Sequence, residues 1–189
     1  MSFETEIKIK LSDIERKKIE AYLATKSQFL GFFYQEDHYY DTRPPSYAEL
    51  DKALRIRVQK PSSGDQEIEL TFKGPKINQN SKTRKEINLN FGEKIDFTTI
   101  KDFLQELGFF HSISIQKERR EYVDINNIHF SLDKNILGYF LEIEIIINKE
   151  KQIKETESKM WELLCQILGE LSEKRRITKS YLELILESK

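Results

Sequence analysis

Charged and apolar residues alternate along several segments of this sequence, and this pattern constrains the fold more than any other feature. In an extended strand, successive side chains point to opposite faces of the sheet, so a period of two separates charged from apolar residues. Residues 3–11 would place four charges on one face of such a strand: Glu4, Glu6, Lys8 and Lys10. The other face is apolar apart from Thr5. We therefore predict an amphipathic strand over residues 3–11.

The same alternation predicts further strands over residues 54–58, 67–73, 82–91, 130–133 and 141–145. Residues 116–123 carry charges on both faces, so their orientation stays open. Three other segments have apolar residues at helical spacing, and they predict helices over residues 13–30, 97–107 and 155–171. Each of these helices needs an apolar surface to cover.

Length and composition narrow the class of protein. A chain of 189 residues fits one domain, which we place over residues 1–189. Its 31 basic and 32 acidic residues leave a formal net charge of -1 at pH 7, which disfavours nonspecific binding of nucleic acid or anionic lipid. Cys165 is the only cysteine, and no leader or membrane-spanning run is visible. We expect a cytoplasmic protein that has no membrane partner.

The charged strand faces allow two interpretations. In the first, they are the solvated side of an open sheet. In the second, the strands close into a β-barrel, with helices packed on the apolar outside and the charges lining the interior, which is an α+β fold. Solvated strand faces usually mix Thr, Ser, Gln and Lys, whereas Glu and Arg dominate here. The composition therefore favours the closed barrel.

A charged interior needs partners or a ligand, because enclosed charges are unfavourable when they are unpaired. Ammonium and guanidinium groups suit phosphate oxygens, and clustered carboxylates suit hard cations such as Mg²⁺ or Mn²⁺. The basic candidates are Lys8, Arg55, Arg57, Lys73, Arg84, Lys117, Arg119 and Lys179. The acidic candidates are Glu4, Glu6, Glu69, Glu86, Asp133, Glu142 and Glu144. A polyanion carried with metal ions would use both sets.

Several short motifs, taken in order along the chain, resemble the CYTH superfamily, also called triphosphate tunnel metalloenzymes. They are Glu4-Thr5-Glu6-Ile7-Lys8, Asp37-His38-Tyr39-Tyr40-Asp41, Ala53-Leu54-Arg55-Ile56-Arg57, Leu70-Thr71-Phe72-Lys73-Gly74-Pro75, Thr83-Arg84-Lys85-Glu86, Lys117-Glu118-Arg119, Leu137-Gly138-Tyr139-Phe140-Leu141-Glu142-Ile143-Glu144 and Lys179-Ser180-Tyr181. The resemblance covers nearly the whole chain. The middle motifs are most similar to the CyaB-like branch, the class IV adenylyl cyclases.

The resemblance implies an eight-stranded antiparallel tunnel and a role for each candidate. Metal ions, Mg²⁺ or Mn²⁺, would be held by Glu4, Glu6, Glu142 and Glu144, with Asp133 nearby. The triphosphate would be bound by Lys8, Arg55, Arg57, Lys73, Arg84, Lys117, Arg119 and Lys179. In the hydrolases of this family, Lys8 would also orient or deprotonate the attacking water. The implied catalytic set is Lys8 with Glu4 and Glu6.

The attacking nucleophile decides the reaction. If water attacks, the protein is a triphosphatase acting on inorganic triphosphate or a small organic or nucleoside triphosphate. If the ribose 3′-hydroxyl of ATP attacks the α-phosphorus, it is an adenylyl cyclase that forms cyclic AMP and pyrophosphate. We favour hydrolysis because the sequence shows no convincing binding site for a nucleobase. A phosphate-sensing module without activity is disfavoured because all four glutamates are present, and an RNA-end triphosphatase is disfavoured by the net charge. A homodimer is left open.

Other reactive residues favour structural roles. His38, His111 and His129 lack the spacing of a zinc site, and Cys165 lies beside an apolar helical stripe with no apparent base. Arg120 has the opposite strand parity from Lys117 and Arg119, so we assign it to the outside.

Overall fold

The computed structural model describes residues 3–62, 64–76, 84–91 and 95–188. In these residues the chain forms eight strands, four α-helices and two short 3₁₀ helices. The strands are β1 Phe3–Leu11, β2 Ser27–Asp41, β3 Ala53–Pro61, β4 Glu67–Lys76, β5 Arg84–Asn90, β6 Phe110–Asp124, β7 His129–Asn135 and β8 Gly138–Ile147. The helices are α1 Asp13–Lys26, α2 Phe97–Glu106, α3 Ile153–Leu168 and α4 Tyr181–Glu187.

The elements predicted from periodicity are confirmed, with shifted ends. The predicted strand over residues 82–91 becomes β5, and its first two residues lie outside the described ones. The helix predicted over residues 13–30 ends at Lys26, because Ser27 is already extended and begins β2. Within α1, Ile14 is exposed, whereas Ile19 and Leu23 are buried. Two elements, β2 and α4, have no counterpart in the prediction.

A capping box sets the start of α1. The Ser12 hydroxyl accepts a hydrogen bond from the Glu15 backbone N–H, and the Glu15 carboxylate accepts one from the Ser12 backbone N–H. These bonds satisfy donors that the first turn of a helix leaves without partners. The turn between β1 and α1 is therefore encoded locally.

The eight strands form an antiparallel sheet in the order β1-β8-β7-β6-β2-β3-β4-β5. The α+β class, the strand number and the antiparallel pairing agree with the prediction. The closed barrel is not confirmed, because the strand order begins at β1 and ends at β5.

The chain divides into two compact units, and the single domain over residues 1–189 stays a prediction. The first unit contains described residues 3–32 and 118–188. Its core lies between one sheet face and the helices α1 and α3. The strands contribute Ile7, Ile9, Leu11, Phe130, Leu132, Leu141 and Ile143, and the helices contribute Ile19, Leu23, Met160, Trp161, Leu164 and Leu168. The predicted packing of apolar strand faces against helices is confirmed in this unit.

The second unit contains described residues 33–62, 64–76, 84–91 and 95–117. Its smaller core packs β2, β3 and β4 against α2 through Tyr40, Leu54, Ile56, Ile68, Ile100 and Leu104. The arginines of β3 have the opposite strand parity from Leu54 and Ile56, so the charged face of β3 points away from α2. Neither unit's described helices are long and apolar enough to cross a membrane.

Candidate active site

Lys8, in the first unit, is a buried cation held by two strands and one helix. Its side chain is 2% exposed, and its ammonium nitrogen lies 2.8 Å from a Glu142 oxygen and 3.9 Å from a Glu6 oxygen. The strand register places Lys8 directly opposite Glu142. On another side, the ammonium lies 3.9 Å from the centre of the Tyr181 ring. A solvated strand face is therefore excluded here, as the sequence predicted.

Arg119 contacts Glu142, the partner of Lys8, and is also buried. It donates from Nε and Nη2 to the two oxygens of Asp133, at 2.7 and 2.6 Å, and from Nη2 to Glu142 as well. Burial opposes the charge, but Asp133 and Glu142 outweigh it and hold the pKa of Arg119 well above its usual value. We call Lys8, Glu142, Arg119, Asp133 and Tyr181 the lysine cluster.

Asp133 is fully buried, and its contacts differ from those expected of a metal ligand. Both oxygens accept from Arg119, and one also accepts from the Tyr181 hydroxyl at 2.9 Å. A carboxylate whose oxygens already accept three strong hydrogen bonds has little capacity left for a cation. The geometry therefore favours Asp133 as the anchor of Arg119 over the metal role implied by the family resemblance.

The remaining carboxylates lie on facing strands and repel one another. Glu6 of β1 is opposite Glu144 of β8. Burial is the largest cause that raises the pKa of Glu144 from 4.5 to about 7, and the charges of Glu6 and Glu142 act in the same direction. A hydrogen bond with Glu4 lowers this pKa but does not cancel the increase. A divalent cation would relieve this crowding, and carboxylate oxygens are the ligands that Mg²⁺ and Mn²⁺ prefer.

These four glutamates fit a divalent metal by their chemistry and their mutual repulsion. No ready-made group of three or more His, Cys, Asp or Glu side chains occurs in the part of the chain that the structure describes. The carboxylates therefore would have to move together around an ion, as flexible glutamate side chains can.

A second group of charges lies in the second unit, on β2, β3 and β4. We call it the arginine cluster: Asp37, Arg55, Arg57, Glu69 and Thr71. Arg57 donates two hydrogen bonds to Asp37, at 2.6 and 2.8 Å. Arg55 donates at 2.9 Å to both Glu69 and Thr71, and its Nη1 lies 3.6 Å from Asp37. Both guanidinium groups are thereby oriented before any ligand arrives.

Asp37 contacts both arginines and helps to orient them, and it was not among the predicted site residues. It is 3% exposed; burial works against its charge, yet Arg57 and Arg55, with Lys117, hold its pKa well below the usual value. The sequence signal was present, because Asp37 opens the Asp37–Asp41 motif. The aromatic residues around it do not alternate cleanly with polar ones, so the strand β2 that presents it was not predicted.

The other basic candidates of the second unit are also held near carboxylates or carbonyls. Lys117 is buried and lies close enough to Asp37 to stabilise its charge, and Lys73 lies 2.6 Å from Glu86, its cross-strand neighbour. Arg84 donates to the Gly74 carbonyl at 3.3 Å, and its Nη2 lies 3.8 Å from Asp51. These three residues therefore share the charged environment that the sequence predicted for them.

Lys179 behaves differently from the other predicted phosphate ligands. Its side chain is 49% exposed and its ammonium pairs with Glu187 of α4 at 2.6 Å. Only its backbone carbonyl approaches the lysine cluster, 3.5 Å from the Lys8 ammonium. The neighbouring Tyr181 contributes to that cluster instead; it was named only as the end of the Lys179-Ser180-Tyr181 motif, without a role.

The residues assigned structural roles have ordinary partners. His38 and His111 both hydrogen-bond the Ser114 hydroxyl at 2.9 Å. Cys165 packs against the core of the first unit. Arg120 is exposed and pairs with Glu20 of α1 at 3.0 Å, so its predicted outward orientation is confirmed.

Known proteins match this chain over nearly its full length. A model of the CYTH domain matches residues 2–181. A Methanocaldococcus jannaschii protein, provisionally named an adenylate cyclase, is 34% identical over 182 residues, which are 96% of this chain and 97% of that protein. Adenylate cyclase CyaB of Aeromonas hydrophila is 27% identical over 188 residues, or 98% of this chain and 90% of that protein.

Solved structures share the fold. A Pyrococcus horikoshii protein aligns with a TM-score of 0.86 and 32% identity, covering 98% of this chain and 99% of that one. An adenylyl cyclase homologue from Hippeastrum, described as having a dominant triphosphatase activity, aligns with a TM-score of 0.66 over 100% of this chain and 97% of its own. Its identity is 17%, so this similarity supports the fold alone.

Proposed function

This chain belongs to the CYTH domain family, and from that premise we propose that it is a metal-dependent triphosphatase acting on inorganic triphosphate or a small organic or nucleoside triphosphate. The observation that carries the proposal is the position of Lys8. Its ammonium is buried beside Glu142 and Glu6, so a cation able to orient a water molecule lies among carboxylates suited to a metal.

The four glutamates Glu4, Glu6, Glu142 and Glu144 would hold Mg²⁺ or Mn²⁺. A bound divalent ion would neutralise phosphate charge and activate the nucleophile. Without it, burial and the nearby charge of Glu6 raise the pKa of Glu144 to about 7, so this carboxyl is partly protonated near neutral pH. This crowding would strengthen metal binding, because the ion removes an existing repulsion.

The basic residues would bind phosphate oxygens. Phosphoryl transfer depends mainly on positioning and on stabilising charge, both of which oriented guanidinium groups supply. Asp37 fixes Arg57, and Glu69 with Thr71 fixes Arg55, so these side chains lose little freedom on binding a ligand. In the first unit, Arg119 is fixed in the same way by Asp133.

Lys8 would act on the attacking water. The ion pair with Glu142, at 2.8 Å, fixes the position of the Lys8 ammonium. The burial of Lys8 keeps bulk water away from this nitrogen. A water molecule bonded there would be oriented toward the terminal phosphorus, and its proton could pass to a neighbouring carboxylate.

Adenylyl cyclase activity is the second candidate, and the names of two relatives support it. The same cations and carboxylates would serve, but the 3′-hydroxyl of ATP would replace water. A phosphate-binding module without activity is a weaker candidate, because such a module does not need the four glutamates.

A substrate panel tests the proposal. Purified protein with Mg²⁺ or Mn²⁺ should release phosphate from tripolyphosphate, with cyclic AMP a minor product from ATP. Abundant cyclic AMP with inert tripolyphosphate would select the cyclase instead. Tight triphosphate binding with neither product would select the binding module.

A further inference from the structure

Tyr181 is a buried residue that contacts Lys8 directly and Arg119 through Asp133. It is 6% exposed and is the first residue of α4. One face of its ring lies against the Lys8 ammonium, at 3.9 Å from the centroid. Its hydroxyl donates to Asp133 at 2.9 Å. Its two functional parts, ring and hydroxyl, therefore act on different partners.

The contacts of Tyr181 close a ring of five residues. The hydroxyl holds Asp133, Asp133 holds Arg119, Arg119 donates to Glu142, and Glu142 pairs with Lys8, which returns to the Tyr181 ring. Every link is a charged or charge-assisted contact, except the one between the cation and the ring, which is strongest when desolvated. Each member is therefore held by its two direct neighbours in the ring.

The chain just before Tyr181 is held independently of that ring. The Ile177 backbone N–H donates to the Lys8 carbonyl at 2.8 Å. Ser180 and Glu183 form a capping box, in which each side chain accepts from the other residue's backbone N–H. A change to the Tyr181 side chain alone should thus leave the backbone path intact.

We propose that Tyr181 is a positioning residue: its ring holds the Lys8 ammonium, and its hydroxyl holds Arg119 through Asp133. The inference rests on the proposed function, since it concerns the groups assigned there to water and to phosphate. The ring contact serves the residue that orients the nucleophile, so it should affect kcat. The hydroxyl contact serves a phosphate ligand, so it should affect substrate affinity.

Two substitutions separate these parts. Tyr181→Phe keeps the ring and removes the hydroxyl, so KM for tripolyphosphate should rise about fivefold while kcat stays within about twofold. Tyr181→Leu removes the ring too, so kcat should also fall, by about tenfold or more. A purely structural role predicts no such division between the variants.

Tyr139 provides the matched control. Its ring also faces a cation, Arg16, whose guanidinium carbon lies 4.8 Å from the ring centre. Tyr139→Phe and Tyr139→Leu should leave kcat and KM unchanged, while urea unfolding reports any loss of stability in all four variants. Equal effects of the Tyr181 and Tyr139 pairs, once stability is matched, would overturn the proposal.

Nuclear magnetic resonance tests the positioning without substrate or metal. The ring current of Tyr181 should shift the Lys8 side-chain protons upfield in the native protein and in Tyr181→Phe, but not in Tyr181→Leu. The Arg119 Nε–H should exchange with water faster in Tyr181→Phe than in the native protein. If the native protein lacks both triphosphatase and cyclase activity, the proposed function fails, and these signals still decide the positioning. An unshifted Lys8 signal in the native protein would refute it.

Discussion

Asp37 and Arg57 lie directly opposite each other on β2 and β3, and the carboxylate accepts from the guanidinium Nε at 2.6 Å and from Nη2 at 2.8 Å. The pair is almost fully enclosed, with side chains 4% and 15% exposed. A buried pair of this kind orients a cation, but it leaves an unbalanced charge when one member is removed.

Replacing Asp37 by Asn should therefore destabilise the protein by about 3 kcal/mol. Arg57 and Arg55 would lose their buried counter-charge. Urea unfolding at pH 7 measures the change in the free energy of unfolding. Asp65→Asn, at an exposed position just before β4, is the control and should change it by less than about 0.5 kcal/mol. A similar small change for Asp37→Asn would refute the assigned role.

The same pair predicts that the free energy of unfolding decreases at acid pH. The folded pKa of Asp37 lies below the unfolded value of about 3.9. The carboxylate therefore contributes stability above that pH, and the contribution is lost as the pH falls toward the folded pKa. The difference in unfolding free energy between the native protein and Asp37→Asn should shrink when measured at pH 3 instead of pH 7. A constant difference would mean that Asp37 is not ionised in the folded protein.

Glu144 predicts the opposite dependence of stability on pH. Its folded pKa, about 7, lies above its unfolded value, so the folded state binds more protons and stability falls as the pH rises from about 4.5 to 7. The fall should be on the order of 2 kcal/mol without metal and should vanish in Glu144→Gln. Thermal unfolding across this range measures it, with Glu106→Gln on the exposed side of α2 as the control. Mg²⁺ should restore stability at pH 8 in the native protein more than in Glu144→Gln.

Glu4→Gln or Glu6→Gln should abolish turnover while the fold remains. The substitutions keep side-chain size but remove the charge that a divalent ion needs, so kcat/KM should fall about 100-fold or more. Calorimetric titration with Mn²⁺ should show weakened metal binding in the same variants, and circular dichroism should be unchanged. Exposed Glu67 on β4 provides the control, Glu67→Gln. Full activity in Glu6→Gln would refute its metal role.

Lys179 and Arg55 were both predicted to bind phosphate, but the structure buries Arg55 and exposes Lys179. Arg55 is 7% exposed and held by Glu69 and Thr71, so Arg55→Lys should weaken tripolyphosphate binding about tenfold. Lys179 is exposed beside Glu187, so Lys179→Met should weaken it by less than about threefold. Equal losses in the two variants would support the role that the family resemblance implies for Lys179.

The elements of this fold were largely readable from local pattern. β1 could be delimited from its alternating charges, and α2 and α3 from their apolar spacing, because side-chain periodicity follows directly from backbone geometry. β2 was not readable, since its aromatic and charged residues follow no single period. The end of α1 was also misplaced: Ser27–Leu30 continue the helical spacing, but pairing within the sheet determines their conformation.

By itself, the sequence determined which charges share a strand face and which apolar residues oppose them. Lys8 and Arg57 were identified as site candidates on that basis, because parity along a strand is a local property. Only the tertiary structure decided their partners: Glu142 for Lys8, Asp37 for Arg57, and Asp133 with Tyr181 around Arg119. Glu142 and Tyr181 come from elements far along the chain from Lys8 and Asp133, respectively. Asp37–Arg57 and Arg119–Asp133 join consecutive strands, but each pair still depends on the register of its strands, which a local pattern does not show.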